Sequence, residues 1–180
     1  MQNLAVPVTA NDHIQGGTHA PITLVEYGDF QCPHCAMAHA TVKRLLHRFG
    51  DRMRYVYRNF PLTEIHPHAG HAAEAAEAAA AQGHFWPMHD YLFEHQHQLE
   101  DGDLHTYAAH LGLDVARFDR EMRAHAHAPR VGADMRSGDE SGVEGTPTFF
   151  VNGVLHTASW ELEPLLAAIE RAERAQAPGQ

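Results

Sequence analysis

Little in this sequence suits a membrane, a nucleic acid or a disulfide scaffold. No apolar run approaches the roughly 18 residues of a membrane span, so membrane insertion is not expected. Basic residues are scarce: Lys43 is the single lysine, Lys and Arg together number 13 against 23 Asp and Glu, and the net charge is −10 with histidines neutral. Nucleic-acid phosphates need a basic surface, and so does anionic lipid; neither is expected as a partner. The opening stretch MQNLAVPVTANDHIQGG has no basic region and no apolar segment of signal-peptide length. A cytoplasmic protein is the plain expectation, and an exported protein whose leader has been removed is the alternative. Cysteine is nearly absent too, with Cys32 and Cys35 the only two in 180 residues. Joined on one helical turn, they would close a tiny loop and add little stability. A structural zinc site needs four ligands, usually two such pairs. The pair therefore points to chemistry rather than to a staple.

What is present reads as one domain, or one domain with a large insertion. Hydrophobic content of 44% and charged content of 20% suit an ordinary soluble core. Residues 22–27, ITLVEY, form a β-rich run stopped by Gly28-Asp29. After Cys32, Val42, Leu45, Leu46 and Phe49 recur at helical spacing, and Gly50 closes that helix. Residues 53–58, MRYVYR, alternate as a strand and stop at Asn59-Phe60-Pro61. Strand, helix and strand in this order make a βαβ unit.

The middle of the chain is helical. Residues 68–83 are nearly pure helix former closed by Gly83. Pro87 suits the first turn of the next helix, which places Met88, Tyr91, Leu92, His95 and Leu99 on one face. Shorter helices are predicted over 104–110, 114–127 and 129–137. The β signal returns at 148–151 and 154–157, split by Asn152-Gly153 as in a hairpin. Leu162, Leu165, Leu166 and Ile169 make a last helical stripe with Pro164 in its first turn. The expected fold is α/β, with β-α-β and β-β-α ends sharing one mixed sheet and a helical insertion between them. The expected division is an arm over 1–20, a sheet domain from 21–60 and 144–175, an insertion over 61–143, and a flexible tail over 176–180.

Cys32 follows the loop Gly28-Asp29-Phe30-Gln31 and opens a helix. Amide groups of a first turn are expected to point at the sulfur without partners of their own, and with the helix dipole they favour an anion. A thiol there loses its proton more readily than the free pKa of about 8.5 implies. Pro33 fits the first helical position, and His34, when protonated, adds positive charge close to the sulfur. Cys35 lies one turn on and faces the same way, so Cys32 attacks and Cys35 resolves the mixed disulfide. Stabilising the thiolate stabilises the reduced form and makes the disulfide the stronger oxidant. Glu26 interrupts an apolar strand, and a strand covered on both faces should not hold a carboxylate without cause. Either Glu26 is partly buried and takes and returns the proton of Cys35, or it sits on a strand edge or face open to water.

VEYGDFQCPHC, then HPHAGHAAEAAEAAAAQGHFWPMHDYLFEHQ, then GVEGTPTFFVNG resemble, in this order, the DsbA-like branch of the thioredoxin superfamily. The resemblance runs from Pro21 to the last helix. It implies a thioredoxin fold with a helical insertion, and thiol–disulfide exchange on protein or peptide substrates by a protein-disulfide oxidoreductase, with a redox partner that recycles the pair. Cys32 and Cys35 fall on the family's reactive and resolving cysteines, and Glu26 on its buried acidic position. Thr146-Pro147 falls on the loop whose proline is cis, where the residue before it offers backbone groups to an extended substrate. Phe85-Trp86 resembles a motif of the family's helical domain and also reads as a core anchor. An oxidant is the first expectation. A cytosolic reductase or isomerase is the alternative, because a reducing compartment would hold the pair as dithiol and Thr146 is shared with reductase-like and isomerase-like relatives. No cofactor is expected, and with no dimerisation segment in sight a monomer is.

Histidine is the one residue in excess, with 17 copies. His66, His68 and His71 cluster, as do His95 with His97 and His125 with His127. A metal-binding protein uses such clusters, and a soft-metal binder employing Cys and His is the remaining alternative. The spacings are irregular and fit no repeated ligand motif, so the expectation is a solvated surface and no metal.

Overall fold

The strand at residues 22–28 is apolar on both sides because both sides are covered. In the computed structural model, which describes residues 2–176, β2 (Ile22–Gly28) is the central strand of a five-stranded sheet. Its neighbours are set by the order β1-β3-β2-β4-β5, with β1 at His13–Gly16, β3 at Met53–Asn59, β4 at Thr148–Val151 and β5 at Val154–Leu155. The 17-residue helix α1 (Pro33–Phe49) separates β2 from β3, the length of crossover that parallel neighbours require. A short 3-10 turn at Gly50–Arg52 leads into β3. β4 runs antiparallel to β2 with Glu26 opposite Phe149, and β5 folds back on β4. Asn152 and Gly153 take φ of 48° and 80°, the left-handed pair that a tight hairpin needs. α7 (Leu162–Gln176) packs on β2 and β4 and buries Leu165 and Ile169. The β-α-β and β-β-α ends thus share one sheet, as expected.

The chain divides into two compact units. One holds the residues up to Gly28, Met37–Arg58 and those from Ser137 onward; the other holds Asp29–Ala36 and Asn59–Arg136. In the first, the N-terminal arm is more than an extended lead. β1 pairs antiparallel with β3, and Asn3 bridges Val154. Nothing in His-Ile-Gln-Gly signals a strand. Its place is set by distant partners: Gly16 has φ of 97° and any Cβ there would collide with the Met53 carbonyl. Arg58 ties down the rest of the arm. Its guanidinium donates to Asp12 at 2.8 and 3.2 Å, to the Val6 and Pro7 carbonyls at 2.9 and 3.1 Å, and to the Tyr27 hydroxyl at 2.9 Å.

The second unit is helical: α2 (Ala69–Ala80), α3 (Phe85–Glu94), α4 (Asp101–His110), α5 (Val115–Arg123) and the start of α6 (Ala128–Glu140). α2 is the inner helix, and its alanines let α3, α4 and α5 approach closely. α4 begins at Asp101, ahead of the predicted start, because Glu100 and Asp103 form a reciprocal capping box. α3 stops at Glu94, so Leu99 is buried from a loop rather than on the predicted helical face. α5 stops at Arg123, short of the predicted 127, and His125 just beyond it has φ of 49°. Two buried acids are satisfied within the unit. The Asn59 side chain donates to Glu77 at 2.7 Å and to Asp134 at 3.0 Å, and the Asn59 amide also donates to Asp134 at 3.0 Å. Of the expected tail, Gln176 ends α7 and residues 177–180 lie outside the described residues. Among the described residues no helix is long and apolar enough to cross a membrane.

Candidate active site

The loop that follows β2 delivers Cys32 to the start of α1. The Cys32 carbonyl accepts the Ala36 amide at 3.2 Å, which makes Cys32 the N-cap and Pro33 the first helical residue. Cys32 keeps 6% of its surface exposed and Cys35 none. Pro33 and His34 are exposed between them. A sulfur with some access and a sulfur without any are thus ordered along a single turn.

Three side chains hold this loop. The carboxylate of Asp29 is fully buried; one oxygen accepts the amides of Gln31 at 2.7 Å and Cys32 at 3.2 Å. Its other oxygen accepts the Leu62 amide at 2.8 Å and stands 2.8 Å from Nδ1 of His66. Gln31 in turn accepts the His68 amide at 2.7 Å. Gln96 donates to the carbonyls of Phe30 at 2.9 Å and Cys32 at 2.7 Å. Phe30 itself is buried, 4.9 Å from the ring of Phe93 and 5.7 Å from that of His89. Phe85 is buried beside Trp86, with ring centroids 5.0 Å apart.

The amide of Cys32 itself is taken: it donates to both the backbone and the side chain of Asp29, and Pro33 has no N–H to offer. The positive end of α1 is therefore partly answered by a carboxylate. Sequence reasoning passed over Asp29, although an Asp leaving a strand is a known turn former that bonds amides two and three residues on. Gln96 carries no local signal, because its role depends on tertiary contact.

The other candidates lie in the sheet unit. Glu26 is 1% exposed on the central strand, and the Tyr55 hydroxyl donates to it at 2.7 Å. The water-exposed alternative for Glu26 is thereby excluded. Thr146 and Pro147 precede β4, both partly exposed, and the peptide bond joining them is cis. Within the helical unit, a polar cavity of about 350 Å³ opens beside Pro33, lined by Gln31, His68, Gln96, His97 and Glu100.

The sequence model described as thioredoxin matches residues 8–171. Among relatives, a Na(+)/H(+) antiporter NhaA 1 of Salinispora arenicola is 49% identical over 171 residues, covering 94% of this chain and 26% of the relative. A Na(+)/H(+) antiporter NhaA of Herminiimonas arsenicoxydans is 46% identical over 163 residues, with 91% and 26% covered. The chain thus spans about a quarter of the length of these relatives. Among solved structures, a thioredoxin-like oxidoreductase of Silicibacter pomeroyi superposes with a TM-score of 0.82 at 29% identity, over 92% of this chain and 94% of the other. BdbD of Bacillus subtilis, in oxidised form, gives 0.84 at 21% identity over 96% and 98%. α-DsbA1 of Wolbachia pipientis gives 0.79 at 22% over 96% of both chains.

Proposed function

The chain belongs to the thioredoxin family, and on that footing we propose that it is a thiol–disulfide oxidoreductase acting on protein thiols through Cys32 and Cys35. The observation that carries this reading is the order of the two sulfurs: Cys32 at the helix N-cap with 6% of its surface open, Cys35 a turn later with none. In the oxidising direction a client thiolate attacks Sγ of Cys32 in the Cys32–Cys35 disulfide. A client–Cys32 bond forms, the old bond breaks, and Cys35 leaves as thiolate and takes up a proton. A second client thiolate then attacks the client sulfur of the mixed disulfide and releases Cys32. The client loses two electrons and the pair gains them. Run backward, the same steps reduce a client.

The finer assignments follow from the residues. Cys32 is the attacked sulfur and Cys35 the resolving one. Exposed His34 supplies positive charge near a thiolate when protonated. Glu26, buried and held by Tyr55, is the acid–base candidate. Thr146 and Pro147 are assigned to holding an extended client chain, and the polar cavity beside Pro33 favours a client with polar side chains flanking its cysteine. The direction is assigned as oxidation on the strength of Cys-Pro-His-Cys. In a reducing cytoplasm, the compartment proposed from the sequence, the pair would rest as dithiol and reduce instead.

A second reading concerns partners. The matching relatives are named as Na(+)/H(+) antiporters and are about four times as long as this chain, which favours a membrane transport protein as client or regulated partner.

Equilibration in graded glutathione buffers, with thiol trapping, gives the reduction potential and hence the direction. A Cys35→Ser protein should accumulate mixed disulfides with disulfide-bonded clients, Cys32 attacking the client disulfide and the second client sulfur leaving as thiolate, and a Cys32→Ser protein none. Equal trapping by both variants would remove the assignment of roles, and no trapping by either would remove the function.

A further inference from the structure

Three histidines far apart in the sequence meet at one cavity of the helical unit. His71 on α2, His105 on α4 and His125 after α5 line a space of about 420 Å³ together with Asp101, Asp119 and Met122. Each imidazole is held in the same manner. Nδ1 of His71 lies 2.7 Å from Asp101, Nδ1 of His105 lies 3.0 Å from Asp119, and Nδ1 of His125 lies 3.1 Å from Glu74. A carboxylate on Nδ1 makes that nitrogen the donor and leaves Nε2 as the basic lone pair. This is the second-layer arrangement that orients metal-binding histidines and raises their basicity. The rings of His71 and His125 stand 5.6 Å apart between centroids, compatible with two Nε2 atoms about 3.4 Å apart on a tetrahedral ion with Zn–N bonds of about 2.05 Å.

We propose that this cavity binds one imidazole-preferring divalent transition-metal ion of the zinc type through Nε2 of His71, His105 and His125. Among the described residues, their donor atoms stand apart rather than in one coordination sphere. All three side chains are about half exposed, and binding requires the three rings to turn into the cavity together with the carboxylates that hold them. His125 is committed by its backbone: with φ of 49° it occupies a region that costs a non-glycine residue free energy, and there its ring reaches Glu74 on α2. The Met122 thioether is a soft donor on the same wall, and the remaining volume leaves room for water or a ligand at an open position. The ion would join α2, α4 and the end of α5 beside the buried side chains of Leu104 and Phe118.

The test uses the full chain carrying Cys32→Ser and Cys35→Ser, so that no thiol competes, titrated with Zn2+ by calorimetry. One equivalent should bind. His71→Ala, His105→Ala and His125→Ala should each weaken it at least 10-fold, and Glu74→Gln should weaken it about 10- to 100-fold through His125. His95→Ala with His97→Ala, a histidine pair outside the cavity, should leave it unchanged. Circular dichroism of each metal-free variant separates lost binding from lost fold. Absence of a stoichiometric site in the parent would overturn the proposal. Binding that survives all three alanine variants, or that falls equally with His95 and His97, would overturn it too.

Discussion

Asp29 accepts the backbone N–H of Cys32 on its side chain at 3.2 Å. The sulfur that the helix N-terminus should favour as an anion therefore has a buried carboxylate in the same turn. On the proposed reading the two influences oppose each other: the dipole and His34 would lower the cost of a thiolate, and Asp29 would raise it. Asp29 also fixes the loop through Gln31, Leu62 and His66.

Asp29→Asn keeps an acceptor for the Cys32 amide and removes the charge. Alkylation of Cys32 at about pH 6 should become roughly 3- to 10-fold faster, following a thiol pKa lower by up to about one unit. The reduction potential should rise with it, at about 30 mV for each 1.4 kcal/mol gained by the reduced form. The fold should lose about 1–3 kcal/mol, because an amide NH2 cannot accept from Leu62. Rapid alkylation kinetics beside a urea melt check both. An unchanged alkylation rate would mean that the carboxylate does not reach the sulfur.

The Arg58–Asp12 pair is closed to solvent, at 3% and 7% side-chain exposure. Burial works against the charge of Arg58, but its hydrogen bonds to Asp12 and Tyr27 and the negative charge of Asp12 outweigh this and hold its pKa above the ordinary value. Asp12→Ala leaves a buried guanidinium without its counter-ion and should cost about 3–5 kcal/mol. Asp12→Ala combined with Arg58→Met should cost clearly less than the sum of the two single changes. Urea melts give the energies, and limited proteolysis should show cleavage before residue 13 in both the Asp12→Ala and the double-variant proteins and not in the parent.

The parts of the molecule that are legible in the sequence are those whose cause is local. Alternation and turn chemistry locate β2, β3, the Asn152-Gly153 hairpin and the Pro164 helix, because burial of a face and a left-handed turn leave their mark within a few residues. β1 leaves no such mark: a Gly at φ of 97° against Met53 and an arginine 42 positions beyond residue 16 decide its place. The same division runs through the site. Cys32, Pro33 and Cys35 are readable from spacing, and Glu26 stands out as a carboxylate in an apolar run with two possible surroundings. Gln96 is invisible because it acts across 64 residues on the carbonyl of Cys32. The histidines read as irregular along the chain, and so they are. His71, His105 and His125 become a set only when α2, α4 and α5 are packed together.

Asp134 gives a pH dependence whose sign can be stated. Its pKa lies above the ordinary value of 3.8, chiefly through burial, with the nearby charge of Arg130 and the hydrogen bonds from Asn59 pulling the other way and Glu77 adding to the rise. A carboxyl group that is a weaker acid in the folded chain than in the unfolded chain holds its proton more tightly when folded. Its contribution to stability is therefore complete below pH 3.8 and is lost as pH rises through the higher folded value. Asp134→Asn keeps an oxygen for the Asn59 amides and has no proton to lose. Measured by urea melts from about pH 4 to pH 7, the difference in stability between Asp134→Asn and the parent should move in favour of the variant as pH rises. A difference that stays flat, or that moves toward the parent, would mean that Arg130 and Asn59 outweigh burial and that Asp134 is an ordinary ionised acid inside the helical unit.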